Sequence, residues 1–157
     1  MIDTWYWLTN VLHYSLVVGD TPANRAVNAF SFQFNAENYE DLFYCLLGIE
    51  ALYNTSTSDG IMEQIRNKTA FLFGEPIEYK KRISQMYSIR SEFIHGHLNF
   101  PNKYYTYDAA DEFTKFYDTK YVNALSTAQS ILVASIRLLI QNKAKGFKTK
   151  IIVDFDL

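Results

Sequence analysis

Apolar positions recur along most of this chain at intervals of three and four residues, the spacing of a helix face rather than the alternation of a strand. Residues 3–18 predict a first helix, with Trp5, Leu8, Leu12 and Leu16 at near-helical intervals. Gly19-Asp20-Thr21-Pro22 stops it and offers Thr21 as the N-cap of a second helix, with Pro22 in the first helical position. That helix covers 22–34, where Ala26, Phe30 and Phe34 fall four apart. After a break at Asn35 to Asn38, a strongly apolar third helix is predicted over 37–54, followed by a polar loop from Asn54 to Gly60. A fourth helix runs from Ile61 to Phe73 and is stopped by Gly74 with Pro76 beyond it. A fifth covers 77–96 and ends at Gly96. The stretch His97 to Asp108, with Pro101 and the cluster Tyr104, Tyr105 and Tyr107, reads as a loop. A long helix follows over 109–144, with an interruption expected near Tyr117 to Lys120. Val122, Leu125, Ile131, Leu132, Ile136 and Leu139 give its second half a broad apolar face. The tail from Lys150 to Phe155 has strand character. The expected architecture is all-α: one helical bundle over residues 1–157, with a long C-terminal helix and a short extended C-terminal tail.

Composition sharpens this picture. Of the 157 residues 48% are hydrophobic and 17% aromatic, too much bulky apolar surface for a disordered chain. Only 6 Gly and 3 Pro leave few breaks, which favours long helices over the many turns of an all-β domain. A formal charge of −2 argues against a general nucleic-acid coat but leaves room for a local basic site. The single cysteine, Cys45, excludes an internal disulfide framework. It sits between Tyr44 and Leu46 with no basic neighbour to activate it, so burial as a small hydrophobe is expected. The N-terminus lacks the basic start of a signal peptide, and no apolar run approaches the roughly 20 residues of a membrane span. The cytoplasm is the expected compartment, with no membrane among the partners.

Two charges fall where a core should be. On the third helix Phe43, Leu46, Leu47 and Tyr53 line the apolar stripe, and Glu50 shares it. On the fifth, Ile83, Met86, Phe93 and Ile94 mark the core face, and Arg90 lies among them. An isolated buried charge is costly, so each needs a partner or access to water. The economical arrangement is that Glu50 and Arg90 meet between the two helices. Such a pair can serve packing alone, and snorkelling of both heads to solvent is the other bland alternative. His95 is placed differently: at about 100° per residue it stands about 140° around the helix from Arg90, aligned with Ser88 and Glu92. The two side chains can therefore border one cleft only at the edge of the bundle, above all a cleft completed by a second subunit.

An arginine beside a histidine suits metal-independent RNA cleavage. Arginine carries a permanent charge in a fork that matches phosphate oxygens. Histidine exchanges a proton near neutral pH, so it can activate a ribose 2′-OH or protonate the leaving 5′-oxygen. The run Tyr87-Ser88-Ile89-Arg90-Ser91-Glu92-Phe93-Ile94-His95-Gly96 resembles the Arg-x4-His motif of HEPN domains, in particular the Apea-like group with its Tyr-x-x-Arg-Ser-x-x-x-His-Gly pattern. Upstream, Leu46 to Tyr53 is similar to that group's apolar helix with a glutamate just before Ala-Leu, here Glu50. The resemblance spans residues 25 to 142. It implies an all-α bundle, a homodimer in which two motifs face one cleft, and membership among ribonucleases of toxin–antitoxin, abortive-infection or antiphage defence systems, with RNA as substrate or ligand and an antitoxin or defence protein as partner. Arg90 and His95 match the motif as catalytic residues, with Glu50, Ser91 and Tyr87 in support. Toxins of this superfamily that are modified by nucleotidyltransferase antitoxins carry a tyrosine two residues past the histidine; here that position is His97, which does not support this mode of control. Ser91 stands where Asn or Asp is common elsewhere in the superfamily and is normal for the Apea-like group.

Other candidates carry less. His95-Gly96-His97 suggests a metal, but neighbouring helical positions diverge, His13 is remote in sequence and no Cys/His cluster accompanies them, so neither metal nor cofactor is expected. The tyrosines at 104, 105 and 107 can stack on bases or simply pack a loop. Lys143, Lys145, Lys148 and Lys150 suit a solvated helix C-terminus. Two function classes remain: a metal-independent endoribonuclease, and a non-catalytic helical module that binds RNA or protein.

Overall fold

A computed structural model describes residues 2–14, 19–35, 40–53, 60–98, 115 and 117–148. Helix α1 spans Ile2–Tyr6 and continues as a wider π-helical turn over Trp7–Val11. Then follow α2 (Pro22–Phe32, closed by a 3-10 turn at Gln33–Asn35), α3 (Glu40–Tyr53), α4 (Ile61–Phe73), α5 (Tyr79–Ile94) and α6 (Val122–Gln141, entered through a π-helical turn at Tyr117–Tyr121). A π-helical turn stands at the expected interruption near Tyr117 to Lys120, and the start of the expected helix, 109–114, lies outside the described residues. No strand occurs among the described residues, and the fold is an all-α bundle with a long C-terminal helix. The aromatic cluster at 104–107, the extended tail at 150–155 and the polar loop at 54–59 lie outside the described residues.

Local chemistry explains the boundaries. Thr21 caps α2 by accepting a hydrogen bond from the Asn24 backbone N–H at 3.1 Å, and Pro22 takes the first position, where its missing N–H costs nothing. Gly74 ends α4 at φ 81°, a left-handed conformation that suits glycine. At the end of α5, Gly96 has φ 70°, its N–H reaches the Phe93 carbonyl at 3.0 Å, and His97 N–H reaches the Glu92 carbonyl at 2.8 Å. That pair of bonds is a Schellman motif, and it makes His95 the C-cap of the helix.

Helix α3 is the centre of the bundle and packs on α2, α4 and α6; α5 lies against both α4 and α6. Its buried residues, Leu42, Cys45, Leu46, Ile49, Leu52 and Tyr53, cover more than one face, as expected of a helix with neighbours on several sides. Gly48 sets the approach to α6: a Cβ added there would stand 2.9 Å from a Leu132 methyl. On α6, Ala124, Ala128, Ile131, Leu132, Ser135 and Leu139 form the buried stripe. The Tyr53 hydroxyl meets Ser135 Oγ at 2.7 Å, so the polar tip of a fully buried ring is satisfied. The two ends of the described chain are tied together at the start of α2. Trp7 Nε1 donates to the Ala144 carbonyl at 2.9 Å, and Ala23 N–H donates to the Lys145 carbonyl at 3.0 Å.

Several sequence expectations require correction. In the first helix it is Trp7, not Trp5, that enters the core, because the π turn shifts the angular register; Trp5 is exposed. Phe34 is exposed at the end of the 3-10 turn. Leu47 on α3 and Phe93 and Ile94 on α5, all expected inside, are 58%, 41% and 54% exposed. Ile49, Leu52 and Ile89 are buried in their helices. The segment Thr119–Gln141 is 23 residues of continuous helix with a mean hydropathy of 1.3 in its most apolar window, long and apolar enough to cross a membrane by length and composition, contrary to the sequence expectation. In this structure α6 packs on α2, α3 and α5, with about a third of that window buried.

Candidate functional site

Glu50 and Arg90 meet between α3 and α5. Arg90 Nε lies 3.1 Å from Glu50 Oε1, and Arg90 Nη2 donates to Oε2 at 3.4 Å, a two-pronged contact. The helices bring them together because Glu50 and Arg90 each sit at the rim of an apolar stripe, where the side chain can face the neighbouring helix and still reach solvent. The Arg90 and Glu50 side chains remain 28% and 18% exposed. Tyr87, one turn before Arg90, completes the arrangement. Its hydroxyl donates to Glu50 Oε1 at 3.4 Å, and the Arg90 guanidinium lies 5.1 Å from its ring centre. Burial, then the neighbouring Glu50 charge, push the Tyr87 hydroxyl above its ordinary pKa, while Arg90 opposes them. The phenol therefore stays protonated and able to donate to Glu50. Two guanidinium nitrogens are committed to Glu50; Nη1 has no hydrogen-bond partner among the described residues.

His95 is not part of this cluster. Five residues along a helix separate it from Arg90, about 7.5 Å of rise and about 140° of rotation. It is exposed at the C-cap, with its backbone N–H on the Ser91 carbonyl at 3.0 Å and its ring 6.2 Å from that of His97. Ser91 thus enters through its backbone, holding the last turn on which His95 stands. Ser88 Oγ donates to Glu92 at 2.8 Å on the polar face that the sequence assigned to them. Among the described residues no three His, Cys, Asp or Glu side chains gather closely enough to hold a metal ion. Cys45 is fully buried, and burial, with the Asp41 charge second, pushes its thiol up to about 12, so it is no nucleophile.

Sequence reasoning missed the surroundings of the ion pair. An open groove of about 420 Å³ runs between α2 and α3, with Glu50 in one wall and Arg25, Asn28, Phe32 and Leu47 around it. Phe32 stacks on Tyr44 at 5.4 Å, and Phe43 meets Phe93 at 4.0 Å between ring centres. Exposed Leu47, Phe93 and Ile94 thus belong to an apolar surface flanking the Glu50–Arg90 pair. No sequence signal pairs α2 with α3, so Arg25 and Phe32 could not be assigned to Glu50 beforehand. Compared with models of protein families, with curated proteins and with solved structures, the chain matches none.

Proposed function

We propose that the protein is a metal-independent endoribonuclease of the HEPN type, acting as a homodimer in which Arg90 and His95 face one cleft. The observation that carries this reading is the state of Arg90: fixed through two nitrogens by Glu50, it has a third nitrogen without a partner among the described residues and keeps part of its surface exposed. A guanidinium held in place loses little freedom when it grips a phosphate, and its fixed charge suits the pentacoordinate transition state better than the ground state. His95, exposed one helical turn and a half further on, supplies the proton chemistry.

Docking of a second copy on the apolar surface around Leu47, Phe93 and Ile94 would bring each His95 towards the other protomer's Arg90 and bury surface that a monomer leaves wet. In the reaction one His95 takes the proton of the ribose 2′-OH, whose oxygen attacks the adjacent phosphorus. The bond from phosphorus to the 5′-oxygen breaks, and the other His95 returns a proton to that oxygen. The products are a 2′,3′-cyclic phosphate and a 5′-hydroxyl, and DNA is inert because it lacks the nucleophile. A role in toxin–antitoxin or antiphage defence, an antitoxin or defence protein as partner, and action in the cytoplasm belong to the same proposal.

The test is cleavage of a mixed single-stranded RNA in EDTA by the wild type and by His95→Ala and Arg90→Ala. Loss of about 100-fold or more is expected in each. Equal cleavage by all three proteins overturns the assignment. A second reading draws on Glu50, which already neutralises Arg90, and on the exposed aromatic rings nearby: a non-catalytic module that binds RNA or protein through the same surface. RNA binding without cleavage by the wild type would favour it.

A further inference from the structure

Two cavities meet where α5 lies against α6. One, of about 610 Å³, lies under the α4–α5 connection and has an apolar lining from Phe73, Ile77, Ile83, Ile131 and Ala134. The other, of about 230 Å³, is polar, with Lys81, Gln85 and Asn123 at its edge. Arg82, Ser126 and Thr127 line both, so the two form one trench that is greasy at one end and hydrophilic at the other. The larger part falls within the range of about 300–1,000 Å³ typical of sites for small organic molecules.

The charge at the junction is specific. Lys81 pairs with Glu78 at 3.6 Å, so these two exposed charges offset one another. Arg82 makes no ion pair or side-chain hydrogen bond among the described residues, and it leaves the junction with one positive charge. Ser126 and Thr127 line the junction from α6, the Thr127 hydroxyl donating to the Asn123 carbonyl at 2.8 Å. At the other end Ile77 is 91% exposed on the connection, forming an apolar wall with water on its far side. A bare alkyl chain would leave Arg82 unanswered; a polyanion would face only one net cation with Glu78 beside it.

We propose that this trench binds an amphipathic monocarboxylate, a linear aliphatic acid whose carboxylate sits on Arg82 and whose chain lies between Ile83 and Ile131. The inference is independent of the ribonuclease reading, since the trench shares no residue with the Glu50–Arg90 pair.

Calorimetric titration of the 157-residue protein with octanoate, decanoate and laurate, and with neutral decanol, tests it. Affinity should rise by about fourfold for each methylene added, until the apolar end is filled. Decanoate should bind about tenfold more tightly than decanol, the difference expected of a charge-assisted contact. Arg82→Gln should remove that difference and leave decanol binding unchanged. Ser130→Trp, which places an indole in the apolar end from an exposed position on α6, should abolish binding of both, with the far-UV circular dichroism intact. Trp5→Ser, at an exposed position on α1, should leave the binding of both ligands unchanged. Three outcomes overturn the proposal: no binding of laurate at millimolar concentration, equal affinity for decanoate and decanol in the wild type, or binding that survives Ser130→Trp.

Discussion

Replacing Glu50 by Gln and Arg90 by Met, singly and together, measures the interaction on which the candidate site is built. At about 4 Å between charge centres and an effective dielectric near 20, the gross Coulomb attraction is about 4 kcal/mol. Side chains that are 18% and 28% exposed keep part of their hydration and are screened, and ordering two long side chains opposes the gain. Fully exposed pairs contribute about 0.2–1 kcal/mol, whereas breaking a buried pair costs about 3–5 kcal/mol. The two-pronged geometry and intermediate burial place the coupling energy between these, at about 1–2 kcal/mol. Arg90→Met also removes the contact with the Tyr87 ring, worth about 0.5–1 kcal/mol, but that loss occurs in both legs of the cycle and cancels. Urea unfolding followed by circular dichroism at low and at 1 M salt is the assay. The coupling should fall without vanishing at high salt, because partly buried charges are screened less than exposed ones. A coupling below about 0.3 kcal/mol, within the error of additivity, would refute the claim that Glu50 holds Arg90 in place.

Gly96→Ala forces an L-residue into φ 70° and should destabilise the fold by about 1–2 kcal/mol, seen as a fall of about 2–8 °C in melting temperature; an unchanged melting temperature would contradict the Schellman assignment. Burial pushes both the Cys45 thiol and the Tyr53 hydroxyl up to about 12, from ordinary values of 9.0 and 10.0. In that window the unfolded chain ionises first, so stability present below pH 9 should be lost progressively towards pH 12, with the urea midpoint falling throughout. A flat midpoint across that range would mean that these groups are solvated in the folded state. Gly48→Leu should cost about 1–3 kcal/mol or more by driving a side chain into Leu132, whereas Gly60→Ala, with open space around it, should be neutral within about 0.5 kcal/mol. If Leu47, Phe93 and Ile94 mediate dimerisation, the double substitution Leu47→Ser and Phe93→Ser should convert a sedimenting dimer to a monomer; a wild type that sediments as a monomer at all concentrations refutes that part of the functional proposal.

The sequence by itself determined where most helices begin and end, because those signals are local. Thr21 with Pro22, Gly74 and Gly96 act within four or five residues of themselves, and the structure uses each of them as a cap or stop. It also made a Glu50–Arg90 pair the economical arrangement, with snorkelling to solvent as the alternative, since a charge on an apolar stripe has few satisfactory partners; the structure shows the pair formed. What it did not determine was which apolar positions end up inside. Periodicity fixes the angle of a side chain on its own helix, but burial depends on whether a neighbouring helix covers that angle. Leu47, Phe93 and Ile94 are apolar yet stay partly exposed, with the Phe93 ring meeting Phe43 of α3, while Ile49 and Ile89 are buried. The same reason hid the groove beside Glu50 and the trench at Arg82, each assembled from more than one helix. Helix crossing decides these, and it is a property of packing between segments that no single segment encodes.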